Sequence, residues 1–361
     1  MEFALSEDQR MLQASIAGTL ESVSSLDHVR RVAAGEHDVT EAINKALGEM
    51  GIAQLLVPEA HGGLGLGALE AALIQEALGY AISPGAFMAS AMAVAAICGV
   101  GDQEQKGRWL GDVTAGQITF GVALTETVSA REGAGLVHEN GRLSGKALFA
   151  FEANTASHVL TADRSGNLFI VDLAAHGIGA TPLGTIDQTR VYTELVFDEV
   201  DAEPLGSGAI AGDTLANVLA LGRILLAADT LGACQNMLEQ AVAYAGDRKQ
   251  FGRPIGSFQA VKHMCADMAA KLEPCRALVW HAAYLYDTES DKAALMACLV
   301  KSHLSEVGTF VARTSTEVHG GMGFTDLVGL HYWFKRIGSN RQWLGGPEAL
   351  RLEAARLQGW A

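Results

Sequence analysis

One short segment concentrates the side chains best suited to binding an anion next to a flat ring. DRKQFGRPIGSFQ, residues 247–259, places Arg248, Lys249 and Arg253 around Phe251, in a chain whose formal net charge is −15. A guanidinium group offers a planar pair of donors to a phosphate, and an aromatic face offers a stacking surface. The same residues also suit a plainer role, in which cations complement a helix dipole ahead of a Gly-Pro turn. The spacing alone leaves both interpretations open.

The composition of the 361-residue chain excludes several classes of function. Hydrophobic residues make up 49% of it, which is enough for a large core divided among two or three sub-domains. A net charge of −15 argues against nucleic acid as a partner, because binding to phosphates needs a basic face. The N-terminus lacks the basic and apolar regions of a signal peptide, and no apolar run is a convincing membrane span. We therefore expect a cytoplasmic protein that contacts neither nucleic acid nor membrane.

The sequence also disfavours metal sites and disulfides. The five cysteines form no CxxC pair, and an odd number without a secretion signal is typical of reduced thiols. No histidine spacing indicates a metal site; the histidines considered are His281, His303, His319 and His331. We therefore predict that the chain binds no metal.

Hydrophobic patterning divides the chain into an N-terminal helical region, a middle β region and a C-terminal helical region. The predicted bounds are 1–115, 116–207 and 208–361. The middle region has β-branched, alternating segments and two hairpin signals, Asn140-Gly141 and Ser165-Gly166. Apolar runs long enough for a C-terminal four-helix bundle lie at about 214–246, 257–286, 291–318 and 346–358. Helices, then an antiparallel β-domain, then long helices make an α+β fold.

The segment around Phe251 resembles the FAD-clamping segment of the acyl-CoA dehydrogenase family. That family has Arg-x-x-Phe-Gly-x-Pro-Ile and a Gln eleven residues after the Arg, and these positions are Arg248, Phe251 and Gln259 here. EVHGGMGFT, residues 317–325, resembles the family's glycine loop, which approaches the adenosine half of FAD. The resemblance assigns FAD binding to Arg248, Gln250, Phe251, Gln259, Glu317, Val318, His319, Gly320, Gly321 and Gly323.

Two further segments extend the resemblance over nearly the whole chain. LVPEAHGGLGLGALEAALIQEALG resembles the family's N-terminal loop and helix, and GVALTE resembles the strand that lies along the flavin. The resemblance implies FAD as the cofactor and the α,β-dehydrogenation of an acyl-CoA thioester as the reaction. In the family a carboxylate takes the α-proton, the β-hydrogen leaves as hydride to the flavin, and the clamp reaches a neighbouring subunit's FAD.

Both positions that hold the base in this family lack a carboxylate here. The Glu near the C-terminus corresponds to Leu344, and the alternative Glu on the long helix corresponds to Gly222. Neither side chain accepts a proton, so the resemblance assigns this chain no catalytic residue.

The segments that form a subunit's own cleft also depart from the family pattern. The stretch that begins at Thr125 lacks the family's Pro and the Gly-Ser-Asp that helps to bind CoA. Phe151 stands where a flavin-contacting threonine is usual, so a bulky ring replaces a hydroxyl donor. Glu317 replaces a Gln in the glycine loop, and an anion is unfavourable near a pyrophosphate.

The lost features belong to a subunit's own cleft, whereas the retained features belong to the clamp on a neighbour's FAD. This division resembles one chain of the α2β2 acyl-CoA dehydrogenases of actinobacterial steroid side-chain degradation. We therefore predict a non-catalytic subunit whose homologous partner carries the Glu. The complex would act on an acyl-CoA and reduce an electron-transfer flavoprotein or a similar acceptor.

Two alternatives stay open at the level of the sequence. The chain is a self-sufficient flavoenzyme if Asp229, Glu126 or Glu152 acts as a displaced base. It is a flavin-free scaffold or an acyl-CoA binder if the changes at Phe151 and after Thr125 abolished flavin chemistry.

Overall fold

The computed structural model describes residues 4–206 and 211–361, in which a helical, a sheet and a second helical region follow one another. The first region contains α1 (Glu7–Val23), α2 (Leu26–Ala33), α3 (His37–Glu49), α4 (Ala68–Tyr80), α5 (Phe87–Val100) and α6 (Gln103–Thr114). The second contains β1 (Phe120–Ala123), α7 (Thr125–Val128), β2 (Gly135–Glu139), β3 (Arg142–Phe151), β4 (His158–Ala162), β5 (Leu168–Asp172), β6 (Ile178–Leu183) and β7 (Tyr192–Asp201). The third contains α8 (Ala211–Asp247), β8 (Lys249–Gln250), β9 (Arg253–Pro254), α9 (Gln259–Thr288), α10 (Ser290–His319), α11 (Leu330–Gln342) and α12 (Pro347–Leu357).

Polar caps fix where two of the N-terminal helices begin. Ser6 and Gln9 form a reciprocal capping box at the start of α1. The start of α4 is capped by a residue distant in sequence, because the carboxylate of Asp287 on α9 accepts the N–H of Ala68 at 2.8 Å. This second cap ties the N-terminal region to the C-terminal bundle.

The middle region is a seven-stranded sheet in the order β5-β4-β1-β3-β7-β6, with β2 paired to β3. The predicted Asn140-Gly141 turn joins β2 to β3. Asn140 has φ 51° and Gly141 has φ 80°, the left-handed pair that a two-residue type I′ turn requires. The Ser165-Gly166 signal lies between the paired strands β4 and β5. Both hairpin predictions are confirmed.

One strand pairing differs from the antiparallel expectation. β1 and β4 run parallel, with Phe120 opposite His158 and Ala123 opposite Thr161. The segment between them, which contains α7, β2 and β3, is long enough to bring the chain back in the same direction. The sheet is therefore mixed. Strand patterning does not reveal this, because alternation of apolar and polar residues is the same in either orientation.

The C-terminal helices pack around α8, which has 37 residues. Among the described residues, this one helix has the length and composition of a membrane span, but 83% of its apolar window is buried in the protein, as in a core helix. The sequence anticipated α8, α9, α10 and α12 to within three residues at each end but missed α11. The buried face of α11 includes Arg336 and Asn340. These polar residues hide its helical periodicity.

A fully buried carboxylate joins all three regions of the chain. The two oxygens of Asp229 on α8 accept five hydrogen bonds of 2.7–3.1 Å, from Gln75, Arg190, Arg336 (two bonds) and Asn340. These donors come from α4, from the segment before β7, and from α11. Burial alone raises the pKa of Asp229, but the two guanidinium groups and the hydrogen bonds from α11 together hold it well below its usual range. The ionised carboxylate is therefore the counter-ion that allows two arginines to be buried.

Replacement of Asp229 by asparagine should destabilise the fold by about 3–5 kcal/mol, because two buried arginines lose their counter-ion. The measurement is the free energy of unfolding from a denaturant titration. Asp213→Asn, at an exposed position of the same helix, should change that free energy by less than about 0.5 kcal/mol. Equal stabilities of the two variants would contradict this role of Asp229.

Candidate functional site

The basic segment folds into a two-stranded hairpin at the C-terminal end of α8. Residues 249–250 pair with residues 253–254, so Phe251 and Gly252 form the turn. Both turn residues are left-handed, with φ of 52° and 78°, which fits a tight type I′ turn. Phe251 is 93% exposed, although water is an unfavourable environment for a phenyl ring and positive φ is unfavourable for a bulky residue. The hairpin therefore presents this ring outward.

The cations of the hairpin are not paired with acidic residues of the described part of the chain. In the two described ranges, no carboxylate lies within ion-pairing distance of Arg248, Lys249 or Arg253. The guanidinium of Arg253 lies 4.0 Å from the ring centroid of Phe258, and Phe251 meets Phe258 edge to face at 6.1 Å. The result is a surface of rings and available positive charge, which suits an anion that carries a flat group.

A glycine-rich turn lies beside the hairpin. This turn, Gly320–Phe324, follows the C-terminal end of α10. The ring of His319 stacks on Tyr244 with centroids 4.7 Å apart. Tyr244 belongs to the last turn of α8, and its carbonyl accepts the N–H of Arg248. The structure thus brings together the two segments that the sequence predicted for cofactor binding.

Only part of the predicted cofactor set lies at the surface. The exposed members are Arg248, Gln250, Phe251, Gln259, Glu317, Gly320 and Gly321. Val318, His319 and Gly323 are buried, and His319 Nδ1 donates to the Ser315 carbonyl at 2.8 Å. Burial lowers the pKa of His319, although this hydrogen bond opposes the shift. The three buried residues support the turn from within, so we restrict the predicted contact surface to the exposed residues.

Gly222 and Leu344, which correspond to the family's two alternative positions for the base, pack against each other. A Cβ on Gly222 would lie 2.6 Å from Leu344 Cδ1 and 2.8 Å from Met92 Sδ. Protein interiors are close-packed, so no side chain fits at position 222 unless these neighbours move. Leu344 is itself buried. The structure therefore brings both positions to one place and fills that place with apolar atoms.

Two buried cations hold the turn that carries Leu344. Lys301 on α10 is 2% exposed, and its Nζ donates to the carbonyls of Gly345 and Arg341 at 2.6 and 3.3 Å. Arg223 on α8 donates from Nε to the carbonyl of Leu344 at 3.2 Å. Leu344 has φ 56°, a conformation that costs a non-glycine residue about 1–3 kcal/mol. The hydrogen bonds from the two cations hold the turn in this strained geometry.

The two cations differ in their counter-ions. Arg223 forms a bidentate pair with Glu353 on α12, at 2.7 and 2.9 Å. Lys301 has no carboxylate within ion-pairing distance in the described part of the chain. Burial and the nearby charges of Arg223 and Arg341 lower the pKa of Lys301 to about 7. No pattern in the sequence singles out Arg223 or Lys301, since a lone basic residue in an apolar helix ordinarily extends its charged end to solvent.

Aromatic side chains fill the space next to Leu344. Phe151 is buried, with its ring centroid 4.7 Å from that of Trp343 and 5.9 Å from that of Tyr192. In front of these rings a cleft of about 390 Å³ remains, with Phe149 at its side. This volume is near the lower end of the range for drug-sized ligands, roughly 300–1,000 Å³. The cleft and the exposed hairpin are therefore two separate candidate surfaces, one of them enclosed by aromatic rings and the other open to solvent.

None of the three alternative acids lines this cleft. Asp229 is held by its network of hydrogen bonds. Glu126 accepts the backbone N–H of Leu148 at 3.1 Å. Glu152 is buried, and burial raises its pKa to about 7 despite two nearby arginines. Among the described residues, no cluster of His, Cys, Asp and Glu is arranged to hold a metal in place of a base.

Replacement of Lys301 by methionine should flatten the pH dependence of stability above neutral pH. The pKa of Lys301 is about 7 in the folded protein, whereas that of an unfolded lysine is about 10.4. Between these values the unfolded chain binds more protons, so this lysine makes stability rise with pH. We expect the unfolding free energies of wild type and variant to diverge by about 1 kcal/mol per pH unit between about pH 8 and 10.

The control for this measurement is Lys271→Met, at an exposed position of α9. Its stability should keep the same pH slope as the wild type in denaturant titrations. If Lys301→Met also kept the wild-type slope, a buried lysine without a counter-ion would be excluded.

Two family models match the chain. Residues 6–117 match "Acyl-CoA dehydrogenase, N-terminal domain", and residues 213–357 match "Acyl-CoA dehydrogenase, C-terminal domain". An acyl-CoA dehydrogenase of Bacillus subtilis is 31% identical over 313 residues, which are 78% of this chain and 79% of the relative.

Two other relatives span almost the entire chain. "Acyl-CoA dehydrogenase IpdE2" of Mycolicibacterium smegmatis is 29% identical over 353 residues, 97% of this chain and 99% of the relative. The solved structure of a Tcur3481-Tcur3483 steroid ACAD variant superposes with a TM-score of 0.88 at 29% identity, over 98% of each chain. These similarities agree with the fold. The chain therefore belongs to the acyl-CoA dehydrogenase family, whose cofactor is FAD.

Proposed function

We propose that this chain is the non-catalytic, FAD-clamping subunit of a heteromeric acyl-CoA dehydrogenase. The observation that carries the proposal is the packing of Leu344 against Gly222, which leaves no place for a base in this chain's cleft. The hairpin that ends in Phe251 remains exposed and carries available charge. A homologous partner then supplies the Glu and the cleft for the acyl-CoA, in an α2β2 assembly.

In this proposal the hairpin binds and orients the cofactor at the interface between subunits. Arg248 and Lys249 supply positive charge to the diphosphate, and Phe251 supplies a ring face. Glu317, exposed at the neighbouring turn, suits a ribose hydroxyl, which donates to a carboxylate, better than a phosphate, which repels it. When bound, FAD supplies the acceptor for the β-hydrogen that leaves the substrate as hydride. A turn already fixed in its binding geometry loses little conformational freedom on binding.

One relative indicates a substrate class and a type of assembly for this chain. The structural relative of 29% identity is a steroid ACAD that carries the paired name Tcur3481-Tcur3483. We extend both features to this chain and propose a two-component complex that acts on a steroid side-chain acyl-CoA. The complex is cytoplasmic in this proposal and reduces an electron-transfer flavoprotein or a similar acceptor.

Two other functions agree less well with the structure. A self-sufficient flavoenzyme needs its own base, and among the described residues no carboxylate lines the cleft. A flavin-free scaffold or acyl-CoA binder is favoured by the packing of Phe151 on Trp343. That alternative leaves the exposed Phe251 and its neighbouring cations without a purpose.

Expressed alone, the chain should retain little FAD and show no acyl-CoA dehydrogenase activity, because its hairpin clamps a cofactor that the partner holds and no carboxylate of the described residues lines its own cleft. Co-expression with a homologous chain that carries the Glu should give an active complex with one FAD per pair of chains. The measurements are the flavin content of a complex of determined mass and the acyl-CoA-dependent reduction of an electron acceptor. A yellow, active homotetramer of this chain would refute the proposal, and a colourless native complex would favour the flavin-free alternative.

Replacement of Arg248 by glutamine in the complex should weaken FAD binding roughly ten- to a hundredfold, because a hydrogen bond to a charged group contributes about 1.5–3 kcal/mol. Phe251→Ala should also weaken binding, through the loss of a ring face. Titration of the apo-complex with FAD, followed by flavin fluorescence, gives the dissociation constants. Arg356→Gln, at an exposed position of α12, is the matched control and should bind like the wild type. Indistinguishable constants for Arg248→Gln and the control would rule out the clamp.

A further inference from the structure

The cleft of about 390 Å³ beside Trp343 has the lining of a ligand site. Its walls include the rings of Phe149, Tyr192 and Trp343, with Leu344 at its back. Polar groups in its lining include Arg131, Ser129, Ser339 and Gln342. Aromatic walls with a few polar groups are typical of pockets that bind flat, largely apolar molecules.

The backbone is strained where aromatic and aliphatic side chains enter the cleft. Phe149 has φ 54° and Leu344 has φ 56°, although bulky residues avoid this region. Phe149 lies at a register shift of β3 against β7, between Ala147 and Ala150, and its ring is 37% exposed. A β-bulge changes the direction in which a side chain points. Residues with strained backbone conformations cost about 1–3 kcal/mol each and cluster at ligand sites. The bulge here keeps an exposed ring at the cleft.

Among the described residues, Arg131 is the one charged residue that lines the cleft. Its guanidinium lies 5.3 Å from the ring centroid of Phe149 and 3.3 Å from Glu126 Oε1. That oxygen also accepts the Leu148 N–H at 3.1 Å, whereas the Thr125 hydroxyl donates to the Leu148 carbonyl at 2.6 Å and accepts from Arg131 at 3.2 Å. Arg131 can therefore turn to an anion in the cleft without leaving this carboxylate unpaired.

We propose that the cleft binds a flat, mostly apolar acid, whose rings lie among Phe149, Tyr192 and Trp343 and whose acidic group pairs with Arg131. The volume of about 390 Å³ is sufficient for a few fused rings. Because Leu344 stands where a carboxylate would be needed, the ligand is bound and is not converted. The inference uses this chain alone, so it does not depend on the proposed role of the hairpin.

The probe for this site is anilinonaphthalene sulfonate, an aromatic acid of suitable shape, and N-phenylnaphthylamine has the same rings without the acidic group. Titration of the purified full chain should show one bound sulfonate per chain, with energy transfer from Trp343 to the probe. Trp343→Phe should remove most of that transfer. The sulfonate should bind more tightly than the neutral compound.

Two variants and one control locate the probe. Arg131→Gln should weaken sulfonate binding about tenfold and leave the neutral compound unaffected, because only the acid pairs with the guanidinium. Ala349→Phe fills the cleft from an exposed lining position and should weaken binding of both compounds. Arg108→Gln is the matched control, since Arg108 lies 4.5 Å from the ring centroid of Trp109 and does not line the cleft.

Three outcomes would overturn the inference. Binding that does not respond to Ala349→Phe would put the probe on another surface. Equal sulfonate affinities of Arg131→Gln and Arg108→Gln would remove Arg131 from the site. Displacement of the probe by FAD, with a perturbed flavin spectrum, would show an ordinary flavin cleft.

Discussion

The ion network of Asp229 is the interaction on which the rest of the structure depends. One buried carboxylate on α8 holds Arg190 ahead of β7 and Arg336 and Asn340 on α11. α11 is thereby fixed against α8, and the turn that follows it, residues 343–346, is placed beside the sheet. A buried charge of this kind is retained only when its partners are complete. The geometry of the cleft is therefore a consequence of a network that lies behind it.

The filling of the space at Gly222 and the exposure of the hairpin both follow from how the same helices pack. On one side, Arg223 and Lys301 hold the turn, and Leu344 occupies the space above Gly222. At the C-terminal end of α8, Phe251 is displayed to solvent. Close packing removes the site for a base, and exposure preserves a surface for a cofactor. The proposed division of labour between two related chains would account for both features.

Local chemistry explains which parts of the fold were predictable. The turn at Asn140-Gly141 needs only two residues that accept positive φ, so its position was found. α11 was missed because Arg336 and Asn340 lie on its buried face, where periodicity expects apolar residues. The burial of His319 was missed for a related reason, since a histidine beside glycines gives no sign of a tyrosine stacked on it. In both of these missed cases the contact that explains the burial comes from a residue distant in sequence, which is Asp229 for α11 and Tyr244 for His319.

By itself the sequence determined the order of helices and strands, the family, the absence of a carboxylate at Gly222 and Leu344, and the basic, aromatic character of residues 247–259. These are properties of residue type and near-neighbour spacing. Only the tertiary structure decided that Leu344 fills the space at Gly222, that Asp229 is a counter-ion and no free base, and that Arg131 lines an aromatic cleft. Contact, burial and volume depend on which distant side chains share a space, and no local pattern in the chain records that.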